Sequence, residues 1–229
     1  MLIRRISLLG ILILGALTLS ACCTPPTGEA LNVTLAAQQR DWWCWAATTQ
    51  MISDFEATRV AQCRSANQVH GTPPTCCTGC TGDCPCWGSG WGATIAEIKD
   101  NWDHWDYDYV HLSSELSWTK LKKAISTRPN CDKSPVQAVW WRYDGAGNVV
   151  GGHVVTVYGY LELRLAAQNL RLVFYHDPWP PSCDPPITAT DVCSPTTGGG
   201  TFVSTYDAFL QTGNRIWGDT FYAFRHTGP

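Results

Sequence analysis

The sequence predicts an α+β domain, with helices in its first half and an antiparallel sheet in its second. Three observations predict it. Ala47, Met51 and Phe55 recur every four residues with Ile52 beside them, an apolar stripe at helical spacing. From Pro135 the period changes: Val136, Ala138 and Trp140 alternate with Gln137, Val139 and Trp141, as in a strand. Between these halves lies no repeat or low-complexity block long enough for a second domain.

Residues 1–21 read as an export signal rather than as part of the fold. Arg4 and Arg5 make a basic start, and Ile6 to Leu19 is an apolar run too short for a stable span. It ends in Leu19-Ser20-Ala21-Cys22, and residues 22–36 read as a tether. Residues 37–229 then form one domain, long enough for a sizeable core. Without Arg4 and Arg5 the 16 basic residues fall to 14 against 19 acids, a net charge of about −5. No basic cluster remains, so nucleic acid is excluded as a partner.

Within the domain, two alanines and the absence of Gly and Pro favour a helix from about Cys44 onward. Cys44 then occupies the first turn, where unpaired amide N–H groups and the macrodipole favour negative charge. The next stretch carries a cysteine-rich insert at about 63–86, with Cys63, Cys76, Cys77, Cys80, Cys84 and Cys86 interleaved with Thr, Gly, Asp and Pro, a composition that reads as a stapled loop. Zinc and disulfides compete for these thiols. Export favours disulfides, and the spacing fits no common zinc module. Setting aside Cys22 and Cys44 leaves ten cysteines, an even number that suits one lone thiol.

Ile95, Ile98 and Trp102 mark a short helix over 94–102, followed by a Trp/Tyr/Asp-rich segment with His104 and His111 that reads as surface loop. Ser117 caps a helix running to Thr127, with Leu121, Ala124 and Ile125 facing inward. Asp144 to Asn148 is a turn, and strands follow over 149–160 and 170–176. Residues 178–200 are a Pro/Gly/Thr loop that Cys183 and Cys193 are placed to close, ahead of a helical turn at 206–211 and a last strand at 220–225. Twelve tryptophans exceed what a core this size needs, and an aromatic-lined cleft would use the surplus.

His153 stands in Gly151-Gly152-His153-Val154-Val155, where two glycines permit close approach and an apolar strand holds the ring. Asp177 ends the next strand in His176-Asp177-Pro178. If that strand is regular, His176 and Asp177 point to opposite faces, so only one of them can serve the same place. As bare residue types, composition favours Cys44 as a half-cystine, while His153 reads as well as an edge residue and Asp177 as a turn starter.

Gln38 followed six residues later by Cys44-Trp45-Ala46-Ala47 resembles the active-site segment of papain-like cysteine peptidases. The Gly-His strand and the Asp-Pro strand end resemble the segments carrying the other two active-site residues in bacterial members. That resemblance spans about residues 35–225 and implies Cys44 as nucleophile, His153 as base, Asp177 as its orienting acid and Gln38 in the oxyanion hole. It implies a nucleophile helix packed on the sheet, a protein or peptide substrate, and no metal or organic cofactor. Trp42-Trp43 before the nucleophile and the dense cysteine cluster depart from the pattern. Leu19-Ser20-Ala21-Cys22 resembles the bacterial lipobox, implying a lipid on Cys22 and a place in the bacterial cell envelope. Cell-wall peptide hydrolysis, transglutaminase-like acyl transfer and a disulfide-stapled surface binding protein remain the rival readings.

Overall fold

In the computed structural model, the described residues are 22–71, 92–166, 168–179 and 198–228. The export signal, most of the cysteine-rich insert and nearly all of the 178–200 loop lie outside them. The described residues form an antiparallel sheet with helices on both faces, an α+β arrangement. Its strands run β2 (Tyr107–Leu112), β8 (Arg215–His226), β3 (Val136–Tyr143), β4 (Val149–Leu165), β5 (Gln168–Asp177) and β6 (Gly200–Thr205) across the sheet. Two short strands flank this path: β1 (Gly28–Ala30) on β4 and β7 (Gln211–Thr212) on β8.

Alternation along β3 divides the core. Val136, Ala138 and Trp140 join one cluster with Leu121, Ala124 and Ile125 of α4 (Trp118–Ile125) and Phe209 of α5 (Tyr206–Leu210). Val139 and Trp141 pack with Trp45 of α1 (Cys44–Phe55), Ala66 of α2 (Gln62–His70) and Trp102 of α3 (Ile95–His104). α1 lies against β4. The caps follow the sequence: Ser117 accepts from Lys120 N, and Thr94 forms a capping box with Glu97.

Three expectations are corrected. Residues 22–36 are not a free tether. β1 pairs with β4 in the register Gly28↔Leu161, Leu31 and Val33 are buried, and Cys23 is disulfide-bonded to Cys131 at a Cα separation of 4.9 Å. Apolar Leu31 and Val33 gain more from burial than from serving as linker. The segment holding His111 is no surface loop but β2, with Tyr107 fully packed and His111 opposite Phe221. The stretch ahead of the cysteine cluster is helical, and Gly71 at φ 60° closes it as a left-handed cap.

Candidate active site

The chain enters α1 through a tight turn. Trp42 has φ 67°, a conformation bulky residues adopt only when neighbours over-determine it, and it is 42 % exposed. The carbonyl of Arg40 accepts from both Trp43 N (3.3 Å) and the Gln38 Nε2 amide (3.0 Å). Trp43 provides no side-chain cap, and no acid stands in the first helical turn. The positive end of the helix dipole, neutralised by no cap or acid of α1, therefore falls at the position of Cys44. Cys44 is a free, buried thiol, so it is not a half-cystine.

β5 ends at Asp177, leaving β4 without a β5 neighbour beyond Thr156, and His153 stands on that uncovered stretch. The His153 Nε2–H donates to Asp177 Oδ1 at 2.7 Å. Nε2 is thereby engaged, and the Cys44 sulfur stands close enough to the ring to interact with it. Burial works against charge on His153, but the Asp177 carboxylate and the Cys44 sulfur outweigh it and push its pKa up to about 10. Asp177 is itself fixed, since Trp179 N donates to the same Oδ1 at 2.8 Å. Gln38 is 2 % exposed, and its backbone N–H donates to the Pro178 carbonyl at 3.0 Å. That bond ties the loop before Cys44 to the residue after Asp177, which itself holds His153.

His176 is placed elsewhere. Its Nε2–H donates to Val33 O at 2.9 Å, Thr201 Oγ1 donates to Nδ1 at 3.0 Å, and its ring stacks on Tyr158. Burial pulls its pKa down, so it is held neutral. Gly152 serves a different end from substrate access. A Cβ at Gly152 would come within 2.8 Å of the Trp141 ring, so the space belongs to that indole.

Sequence reasoning missed the residues surrounding the histidine. Trp140 pairs with His153 across the strands, its ring 6.2 Å away, and its Nε1 donates to Phe209 O. Trp140 and Asp177 are two walls of a cleft of about 270 Å³ completed by Tyr175, Trp179, Phe202 and Arg215. The high tryptophan count was the only signal for it. Among the described residues no cluster of His, Cys, Asp and Glu has the arrangement of a metal site.

The profile of the Peptidase_C39 like family matches residues 30–206, more than three quarters of the chain. The chain therefore belongs to this family of papain-like cysteine peptidases. At that level it is a cysteine peptidase. No curated protein matches it.

Proposed function

We propose that the protein is an exported, lipid-anchored peptidase of the bacterial cell envelope that hydrolyses peptide bonds with Cys44, His153, Asp177 and Gln38. One observation carries the chemistry: a free thiol at a helix start, interacting with a histidine whose Nε2 is held at 2.7 Å by a carboxylate. His153 takes the thiol proton, and Asp177 stabilises the resulting imidazolium in the orientation that faces sulfur. The thiolate attacks the substrate carbonyl carbon, and the carbonyl electron pair moves to oxygen. The Cys44 N–H and the second N–H of the Gln38 amide, the first being given to Arg40 O, bind that oxyanion. Collapse breaks the C–N bond as the imidazolium protonates the leaving amine. Water, deprotonated by His153, then hydrolyses the thioester and returns the free thiol.

The anchor reading rests on Leu19-Ser20-Ala21-Cys22 after an apolar run, and on Cys22 being an exposed free thiol. An epoxide-type thiol probe tests the active-site assignment. Labelling should map to Cys44 and disappear in Cys44→Ser along with peptide hydrolysis. Hydrolysis undiminished in a folded Cys44→Ser protein would overturn it. Mass analysis of the mature N-terminus tests the anchor, with a lipid-modified Cys22 expected.

A further inference from the structure

The cleft beside the histidine–acid pair has a charged end that the hydrolytic steps do not use. Trp140, Tyr175, Phe202 and Phe209 form apolar walls, and these rings hold one another. Tyr175 stacks on Phe202 with centroids 5.5 Å apart, and meets Trp140 and Phe209 edge-on. Asp177, the partner of His153, and Arg215 complete the lining. Burial and Asp177 raise the Tyr175 pKa while Arg215 opposes them, so the guanidinium stands within electrostatic range of that hydroxyl.

Strand register brings a second arginine to the same end. Two residues beyond Trp140, on the face that Trp140 shares with His153, Arg142 of β3 stands directly opposite Arg215 of β8. On its other side Arg142 is paired with Gly151 of β4, where a Cβ would come 3.6 Å from Arg142 Nη2. The guanidinium therefore lies beside the open face of Gly151, two residues or ~7 Å along β4 from His153. Both arginines are half-buried, and like charges directly opposite in a sheet repel. Arg142 joins none of the ion pairs among the described residues. The acid nearest to it in the chain, Asp144, is engaged in its own turn: Oδ1 accepts from Ala146 N and Asn148 N, and Oδ2 from the Asn148 side-chain amide.

The course of acyl transfer says which part of a peptide reaches this end. The acyl part stays on Cys44, and the leaving amine takes its proton from His153, so the leaving segment starts at that ring. Neither Cys44 nor Gln38 lines the cleft, which lies on the His153–Asp177 side. An extended peptide covers ~7 Å in two residues, the same span as His153 to Gly151.

We infer that Arg142 and Arg215 recognise a carboxylate on the leaving segment of the substrate, one or two residues after the scissile bond, while the aromatic cleft holds the apolar part of that segment. This rests on the peptidase reading of Cys44 and His153. The carboxylate is an Asp or Glu side chain or the free C-terminus of a short peptide, since both present the same two oxygens to a guanidinium fork. One such group between the two arginines relieves their repulsion, and a cationic or amide counterpart does not, which makes the pair selective.

Digestion of a peptide library by protein purified from cells making the full chain tests this, with cleavage sites read by mass. Cuts that require Cys44 should show Asp, Glu or a free C-terminus within two residues after the broken bond. Matched peptides separate the two sources: Asp against Asn at each position, and free acid against amide at the C-terminus. The carboxylate member of at least one pair should be favoured roughly tenfold or more in kcat/KM, as a charge-assisted hydrogen bond gives. Arg142→Gln should cut that ratio by roughly threefold or more, and adding Arg215→Gln should bring it to within about twofold of unity. The ratio is read within one protein, so a general loss of rate does not move it. A carboxylate preference that persists in the double variant, or Cys44-dependent cleavage with no such preference, would overturn the inference and leave the peptidase reading standing. Absence of any Cys44-dependent cleavage would sink the peptidase reading and the inference with it.

Discussion

The described residues build two histidine–aspartate pairs of nearly equal geometry, and only one of them interacts with a free thiol. His153 Nε2 meets Asp177 at 2.7 Å, and His111 Nε2 meets Asp219 at 2.9 Å. All four side chains are similarly shielded, between 11 % and 17 % exposed. Their company differs. His153 interacts with the Cys44 sulfur. His111 instead lies over Phe221, with ring centroids 4.6 Å apart, and the second Asp219 oxygen is taken by Trp141 Nε1 at 2.6 Å. Trp217 Nε1 donates to the Asp219 carbonyl as well. A histidine–carboxylate bond orients a ring. It becomes a reaction centre only when the other nitrogen faces a nucleophile.

The sharpest way to break this comparison is to remove one histidine at a time. His153→Ala should lower kcat/KM by roughly 10³-fold or more, since nucleophile and base act as a unit. Rapid alkylation of Cys44 at near-neutral pH should go with it, because the thiolate loses its cation partner. His111→Ala should leave both readings within a factor of a few. Equal losses from the two variants would erase the distinction.

Asp177 comes next. Asp177→Ala should cost roughly 10³-fold in kcat/KM, and Asp177→Asn clearly less, because an amide oxygen still accepts from Nε2–H. The pH profile has a definite sign. The His153 pKa is raised, to about 10, chiefly by Asp177 against the opposing effect of burial. Losing the carboxylate should therefore move the alkaline limb of kcat/KM, and of Cys44 alkylation, to lower pH. Linkage gives the same direction for stability. The His153 contribution is present in full below its ordinary 6.5 and is lost as pH rises through about 10. An alkaline limb unmoved in Asp177→Ala would show that the acid does not govern His153.

Gln38→Ala should cost ~10²-fold, mostly in kcat, if its amide stabilises the oxyanion. Its buried amide also braces the turn through Arg40 O. Gln38→Glu keeps the shape but gives up donors, so it separates the two roles. Activity retained in Gln38→Glu would remove Gln38 from the oxyanion hole.

How much of this was legible in the sequence follows from how far each signal reaches along the chain. α1, α4 and the hairpin turn at Asp144 are written in local periodicity, caps and turn residues, and they stand where expected. The opposite facing of His176 and Asp177 needed only strand alternation, and His176 does turn away to Val33. β1 and β2 were misread because their partners are distant: Gly28 pairs with Leu161, and Tyr107 with His226. A three-residue strand has no period of its own to display. His111 looked like loop for the same reason, its acid lying 108 residues on. Gly152 reads in the sequence as room for a backbone or a substrate, but it is the Trp141 ring that takes the space.

The smallest expected effect on catalysis comes from the second pair, and it is the most discriminating. Asp219 is 8 % exposed and accepts from His111 Nε2 and Trp141 Nε1. Asp219→Ala leaves both N–H donors in a half-buried setting, and a lost partner of this kind costs about 1–3 kcal/mol. The Trp141 ring cannot swing to a new acceptor freely, because it is held at van der Waals range by Gly152 and Gly218. Thermal or denaturant unfolding should therefore report a loss of that size. kcat/KM at a temperature well below the transition should stay within about twofold, since neither residue faces Cys44. Asp219→Asn should recover part of the stability, because its amide oxygen still accepts one of the two N–H groups. Should Asp219→Ala instead depress kcat/KM as Asp177→Ala does, with the fold intact, the two pairs would be coupled through Trp141 and the division between an orienting pair and a structural pair would fail.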